Sequence, residues 1–144
     1  IEVNYSYPKG VRAFMAQRQQ RRCHNENSDY LLGTKGRGEI ARSIFIENAK
    51  GRWSYDGKRE NMYQIEHNEL FESIRAGKPI NNGDRMALST MMAIMGRTAA
   101  YTGKEITYEQ ILSAKEDRYP KDMNWKTGKH TPPPLAKPGL TPFV

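Results

Sequence analysis

Three side chains of types used in proton transfer fall close together near the middle of the sequence: Tyr63, Glu66 and His67. A phenol, a carboxylate and an imidazole near the start of a helix can bind the hydroxyls of a polyol or take part in proton transfer. A second interpretation is open, in which Tyr63 and His67 belong to an apolar helical stripe that continues to Ile74 and are satisfied inside the core. Periodicity by itself favours this second interpretation.

The glycine-rich stretch at residues 33–38 invites comparison with a phosphate-binding loop. A Walker loop, however, needs Gly-Lys followed by Ser or Thr at the opening of a helix, whereas here a β-branched and aromatic stretch follows at residues 40–46. We therefore predict a hairpin connection whose glycines accept positive φ. No GxGxxG occurs anywhere in the sequence, so nothing in it predicts a dinucleotide site of the Rossmann kind.

Metal binding is not predicted from the spacing of the candidate ligands. The histidines are His24, His67 and His130, and no two of them lie four apart on a helix. His24 follows Cys23 and lies two residues before Glu26, but zinc normally takes three or four protein ligands. Since Cys23 is the only cysteine, neither an internal disulfide nor a cysteine-based cluster is predicted.

The net charge of +7 over 144 residues is divided between the two ends of the sequence. Basic residues dominate up to residue 25 and again after residue 120, while acidic residues interrupt the part between them. This distribution predicts solvated surface instead of one continuous phosphate-tracking face. There is also no apolar run near the length that a bilayer requires. We predict neither nucleic acid nor membrane as a partner.

The first half of the sequence has the two-residue period of β-strands. Ile1, Val3, Tyr5 and Tyr7 alternate with polar residues, a turn is expected at residues 8–10, and the chain resumes at residues 11–16. Further short strands are expected at residues 30–32, 40–46 and 52–55. The connections are too short for crossovers, so we predict four to five antiparallel strands.

The second half of the sequence changes to the period of helices. A first helix is expected from Tyr63 to the Gly77 stop, and a second from a cap at Asp84 to Gly103. Thr107, followed by glutamine at residue 110, predicts a capping box for a third. Strands followed by helices predict an α+β fold, with about three helices packed on one face of an antiparallel sheet.

The composition also predicts the organisation of the chain. Residues 1–118 are expected to form one α+β domain, and residues 119–144 an extended tail rich in proline and lysine. Such a tail cannot bury enough surface to fold alone, so any order requires it to lie over the domain or a neighbouring subunit. Its expected anchors are Trp125, Leu140 and Phe143.

Several short segments, taken together in order and spacing, resemble the C-terminal domain of Gfo/Idh/MocA oxidoreductases of the Bacteroidetes/Planctomycetes type. The segments are residues 33–36, 66–67, 73–79, 89–90, 93–97, 101–103, 106–107 and 138–141. The resemblance extends over nearly the whole sequence. The catalytic Glu-Lys-Pro motif of that family does not occur here, because Lys78-Pro79 is preceded by Gly77 and follows a helix.

The resemblance implies a function that this sequence shares with a second, nucleotide-binding half. NAD or NADP would be bound by a preceding Rossmann domain, which this sequence lacks, and the substrate would be a sugar or polyol. The present domain would form the substrate wall and, through its sheet, the interface of a homo-oligomer. It would carry no catalytic residue and be inactive alone, with Tyr63, His67 and Arg12 as substrate contacts.

A different class of function is left open by the same residues. The chain could be a non-catalytic carbohydrate-binding or assembly module that uses the same fold. The sequence does not decide between a cytoplasmic and a periplasmic location.

Overall fold

The computed structural model describes residues 1–41, 43–117, 122–124 and 126–144. The chain divides into two compact units, which we call the hairpin unit and the sheet unit. The hairpin unit comprises Ile1–Gln19 and Asn82–Val144, and the sheet unit comprises Gln20–Asn81. In sequence, the sheet unit is thus inserted between the two parts of the hairpin unit. The predicted boundary between a domain ending at residue 118 and a tail lies outside the described residues.

The described residues form six strands and three α-helices. The strands are β1 (Glu2–Ser6), β2 (Arg12–Ala16), β3 (Asp29–Gly33), β4 (Gly36–Ile40), β5 (Phe45–Asn48) and β6 (Gly51–Ser54). The helices are α1 (Met62–Arg75), α2 (Gly83–Thr102) and α3 (Tyr108–Ser113). The predicted α+β class, the antiparallel pairing and the three helices are confirmed. The strands lie in a two-stranded sheet, β1-β2, and a four-stranded sheet, β3-β4-β5-β6, where the sequence predicted one sheet.

The two-stranded sheet is the predicted hairpin at the start of the chain. β1 and β2 pair antiparallel with Val3 opposite Met15 and Tyr5 opposite Ala13. The turn between them includes Lys9 at a φ of 62° and a glycine at 77°, backbone conformations that suit a tight connection. The alternation in the sequence is retained in the burial, because Val3 and Tyr5 are half-buried and their neighbours in β1 are exposed.

Helix α2 packs against β1 and α3. It ends as predicted at Gly103, which adopts the left-handed conformation with a φ of 70° and donates its N–H to the Ala99 carbonyl. The predicted cap at Asp84 is wrong: Asn82 is the N-cap, without a side-chain cap bond, and Asp84 lies in the first turn. An acidic residue there still complements the positive end of the helix dipole.

Helix α3 begins with the predicted capping box. The Gln110 N–H donates to Thr107 Oγ1 at 3.2 Å, and the Thr107 N–H donates to Gln110 Oε1 at 2.8 Å. These two bonds satisfy backbone donors that the helix itself leaves without acceptors. The helix contributes Ile111, which is 7% exposed and is the buried hydrophobic residue of the described chain.

The four-stranded sheet of the sheet unit is an antiparallel meander. Leu31, Gly38, Ile46 and Trp53 lie directly opposite one another across its four strands. The predicted strand at residues 40–46 is wrong, because β4 ends at Ile40 and β5 begins at Phe45. Between them Ala41 takes a φ of 92°, which turns the chain and which non-glycine residues rarely adopt.

The prediction that the glycines at residues 33–38 adopt positive φ is wrong. Gly33, Gly36 and Gly38 are absent from the residues with positive φ. A Cβ added at Gly36 would collide with the Glu47 carbonyl oxygen, and one at Gly38 would lie 2.9 Å from that of Phe45. Glycine at these positions of β4 therefore allows close approach to the backbone of β5.

The described part of the predicted tail contains two turns. Asn124 forms an isolated antiparallel bridge with Lys129. Farther along, the Gly139 N–H donates to the Thr102 carbonyl at 2.7 Å. This carbonyl lies at the end of α2, where the helix itself provides no donor for it. Of the expected anchors, Phe143 is half-buried, Leu140 is exposed, and Trp125 lies outside the described residues.

Candidate functional site

Helix α1 of the sheet unit carries two of the predicted site residues, Tyr63 and His67. Asn61 starts the helix by accepting the Tyr63 N–H on its side chain at 3.0 Å, a standard N-cap bond. The helix ends before Gly77, which adopts a φ of 65°. Since residues four apart lie on one face of a helix, the two side chains project from neighbouring turns.

The imidazole of His67 is held by the helix backbone. Its Nδ1–H donates to the Tyr63 carbonyl at 2.6 Å. This bond places the proton of a neutral imidazole on Nδ1 and leaves the lone pair on Nε2. Within the described residues, neither His67 Nε2 nor the Tyr63 hydroxyl has a hydrogen-bond partner. The helix therefore presents an oriented acceptor and a phenol that are open to a ligand.

The apolar stripe of α1 is exposed. Tyr63 is 63% exposed, Phe71 and Ile74 are about half exposed, and the helix has no buried residue. The interpretation of Tyr63 and His67 as side chains satisfied inside the core is therefore wrong. Periodicity identifies the apolar face of a helix, but another element must cover that face to bury it.

The third predicted site residue, Arg12, belongs to the hairpin unit. It is the first residue of β2 and pairs with Ser6 of β1. Its side chain is exposed. The structure brings Tyr63 and His67 together on one helix and places Arg12 in the other unit.

A groove in the hairpin unit was not predicted from the sequence. It has a volume of about 970 Å³ and lies between β1, α2 and the connection from α2 to α3. Its apolar lining includes Tyr5, Tyr7, Leu88, Met92 and Met95. The alternation in β1 and the methionine stripe of α2 each indicated an apolar face. That these two faces pack together could not be predicted, because the contacting residues are more than eighty positions apart in the sequence.

Met92 fastens the hairpin to α2 at the groove. The Tyr5 hydroxyl donates to the Met92 carbonyl at 3.0 Å, and the Tyr7 hydroxyl donates to Met92 Sδ at 3.1 Å. Gly96 makes this possible, because a Cβ there would collide with the Tyr5 hydroxyl. Burial raises the pKa of Tyr5 above its ordinary value, and the neighbouring Tyr7 phenol adds to the shift.

The two faces of the four-stranded sheet differ in polarity. The first, which we call the apolar face, carries Leu31, Ile40, Ile46 and Trp53 together with glycines. All four large side chains are about half exposed.

The opposite face of the same sheet carries the charged side chains, together with Tyr30, Leu32 and Phe45. Arg37 donates through Nη2 to Glu47 Oε2 at 2.9 Å, and Arg52 lies 3.9 Å from the same oxygen. The Arg52 guanidinium also lies 3.7 Å from the centre of the Phe45 ring, a distance at which cation–π attraction acts. This face has its own partners and is typical of a solvated surface.

A second group of titratable side chains surrounds Glu26 in the sheet unit. His24 Nε2 lies 3.1 Å from Glu26 Oε2, and the Tyr30 hydroxyl donates to Glu26 Oε1. This hydrogen bond to the carboxylate raises the pKa of Tyr30 above its ordinary value. In the described ranges, no three His, Cys, Asp or Glu side chains are placed to share a metal ion.

Comparison with known proteins adds no assignment: no family model, no curated protein and no solved structure matches this chain. In the part of the chain that the structure describes, no helix combines the length and the apolar character needed to cross a bilayer.

Proposed function

We propose that this chain is the substrate-side, C-terminal domain of an NAD(P)-dependent oxidoreductase of the Gfo/Idh/MocA type that acts on a sugar or polyol. The observation that carries the proposal is the orientation of His67. Its Nδ1–H bond to the Tyr63 carbonyl leaves Nε2 free to accept a hydrogen bond, beside the Tyr63 phenol. The segments resembling that family include Glu66-His67 itself.

The chemistry assigned to these residues is binding and orientation. A polyol hydroxyl can donate to His67 Nε2, and the Tyr63 hydroxyl can donate to or accept from the next oxygen of the same molecule. Two such contacts fix one edge of the substrate and thereby set which carbon is presented for reaction. Arg12 stays a further predicted substrate contact, since its exposed guanidinium offers donors only.

The nucleotide is assigned to a separate domain. The residues of this chain do not fit a dinucleotide, because there is no GxGxxG and the glycines of residues 33–38 lie in or beside the strand β4. NAD or NADP would supply the hydride acceptor in the complete enzyme. The present residues would bind the polyol, orient it and form the wall that limits its size.

We also propose that the apolar face of the sheet is the surface of a homo-oligomer. Leu31, Ile46 and Trp53 form one row across the sheet and remain about half exposed. Exposed apolar surfaces of this kind, with a charged face behind them, are typical of subunit interfaces. Two copies related by a two-fold axis could bring the same row together.

The test is formation of reduced nucleotide by the complete natural polypeptide that contains this chain. The protein is incubated with NAD or NADP and, in turn, glucose, mannitol and myo-inositol, while NAD(P)H absorbance is followed. We expect turnover of at least one polyol. His67→Asn should raise its KM about fivefold, because one hydrogen bond to the substrate contributes roughly 1 kcal/mol.

The matched control is His24→Asn, which changes another exposed histidine of the same unit. It should leave KM unchanged. Failure of NADH to bind would overturn the oxidoreductase proposal. Binding of a polyol without any nucleotide-dependent turnover would instead favour the carbohydrate-binding module.

A further inference from the structure

The outer edge of β1 has backbone groups that no other described residue pairs with. The hairpin bonds join residues 1 with 17 and 7 with 11: Gln17 N–H donates to the Ile1 carbonyl at 2.8 Å, and Tyr7 N–H to that of Val11 at 2.9 Å. In an antiparallel pair such bonded positions alternate with unbonded ones. The N–H and C=O groups of Glu2, Asn4 and Ser6 therefore point away from β2.

These edge groups border the groove of the hairpin unit. Every residue from Val3 to Pro8 lines it, including Asn4 and Ser6. Among the described residues, none forms a hydrogen bond to the backbone of Asn4 or Ser6 on this side. An unpaired strand edge presents a row of backbone donors and acceptors, so an edge beside a cleft is a ready template for another strand.

The groove is large enough to hold one strand. An extended segment as long as β1 has a length of about 17 Å, and strand spacing of about 4.8 Å with a layer thickness of about 10 Å gives roughly 800 Å³. The groove has a volume of about 970 Å³.

The walls of the groove select the side chains of that strand. Leu88, Met92 and Met95 of α2 offer an apolar surface, and methionine adapts readily to different shapes. Glu105 and Glu109 on the opposite wall outnumber the one lysine there, Lys104. Apolar side chains at alternate positions would therefore face α2, and a basic residue at an end of the strand would face the carboxylates.

We propose that the groove is a docking site for a single extended peptide strand, which adds to the free edge of β1 by backbone hydrogen bonds. Its chemistry is apolar residues at alternate positions with a basic flank. This mode of recognition takes affinity from main-chain hydrogen bonds and specificity from alternate side chains. It uses none of the residues assigned to the polyol, so the two proposals stand or fall separately.

The test is fluorescence anisotropy of the 144-residue chain with a labelled peptide of alternating valine and threonine that carries a lysine at each end. The control peptide has proline in place of its two central residues, one valine and one threonine, because one of these two N–H groups must point to β1. We expect saturable binding of the first peptide and at least about tenfold weaker binding of the second, because proline removes a backbone donor. Lysine replaced by glutamate at both ends should also weaken binding.

A matched pair of variants tests the edge itself. Asn4→Pro removes an N–H that points to the groove, whereas Phe14→Pro removes the equivalent N–H on the outer edge of β2, directly opposite in the register. Neither N–H takes part in the hairpin, and proline is tolerated at such edge positions. We expect binding to be lost in Asn4→Pro and kept in Phe14→Pro, with unchanged circular dichroism in both.

A second pair tests the wall and stays informative if the proline variants fail to fold. Leu88→Lys changes an exposed residue of the groove, and Met86→Lys an exposed apolar residue of the same helix outside its lining. Only the first should weaken binding. Equal binding of both peptides, or no binding at all, would overturn the proposal. A concentration-dependent dimer of the chain abolished by Asn4→Pro would assign the edge to a second copy and overturn it as well.

Discussion

In the hairpin unit the apolar side of β1 lies against α2, whereas in the sheet unit the apolar face of β3–β6 remains exposed. Both surfaces arise from the same alternation of side chains. The difference lies in the cover that each sheet receives: α2 contributes Gly96 and Met92, which receive the Tyr5 side chain. The described part of the sheet unit contributes no equivalent cover for Ile46 or Trp53, which are 56% and 55% exposed.

This contrast separates two meanings of an apolar pattern. In the hairpin unit the pattern marks a core contact, which holds an element of the fold in place. In the sheet unit it marks a surface whose apolar area becomes buried only on association. The two units can therefore be perturbed independently, and substitutions in each should change different measured quantities.

The largest effect is expected on the apolar face of the sheet. Ile46→Lys would place a charge in the proposed interface and weaken self-association by about 3 kcal/mol, or roughly 100-fold in the dissociation constant. Sedimentation velocity over a range of concentrations measures it. Leu32→Lys is the control, because Leu32 is 91% exposed on the opposite face. A wild-type chain that stays monomeric at high concentration would contradict the expectation.

A smaller effect is expected where α2 covers the hairpin. Gly96→Val would push the Tyr5 ring away from Met92 and lower the free energy of unfolding by about 2 kcal/mol. Urea denaturation gives this quantity. Ala93→Val, at an exposed position of the same helix, should lower it by only about 0.6 kcal/mol, the ordinary difference in helix propensity. Equal losses in the two variants would mean that Gly96 is not needed for packing.

The smallest effect concerns the protonation of Tyr5. Its pKa is raised in the folded chain, so the neutral phenol and its bond to Met92 contribute stability below the unfolded pKa of about 10. That contribution is lost as the pH rises through the higher folded value. Denaturation midpoints measured across this range should fall less in Tyr5→Phe than in the wild type.

Tyr63→Phe is the control for the alkaline titration. The Tyr63 hydroxyl has no hydrogen-bond partner among the described residues, so this variant should keep the full pH dependence of the wild type. A Tyr5→Phe variant with the same alkaline loss as the wild type would show that the Tyr5 phenol is not the responsible group.

The sequence predicted best the features that short segments determine. The capping box of Thr107 and Gln110 and the left-handed Gly103 mark their helix ends through neighbours within four residues. The β1-β2 hairpin was predictable for the same reason, since alternation and a turn residue are local signals. The apolar stripe that stops at Gly77 is local as well, and it placed Tyr63 and His67 on one helix.

Features that depend on distant partners were missed or placed wrongly. β4 contains two glycines, which disfavour a strand by propensity, and the reason for them is the backbone of β5. The groove forms because the tyrosines of β1 pack against α2, and no local sequence pattern predicts that contact. The exposure of Tyr63 and Phe71 could not be predicted either. A periodic pattern shows which face of a helix is apolar, but it does not show whether another element packs on that face.

The bond between Tyr5 and Met92 also bears on how the chain folds. It joins residues 87 positions apart, with the whole sheet unit lying between them in sequence. Closing so long a loop has an entropic cost that grows with the logarithm of its length, whereas the short turns of β3–β6 close within microseconds. During synthesis the hairpin therefore emerges before α2. Its tyrosine side chains stay uncovered while residues 20–81 are made. The interval gives chaperones, or a neighbouring nascent chain, an early opportunity to bind these side chains.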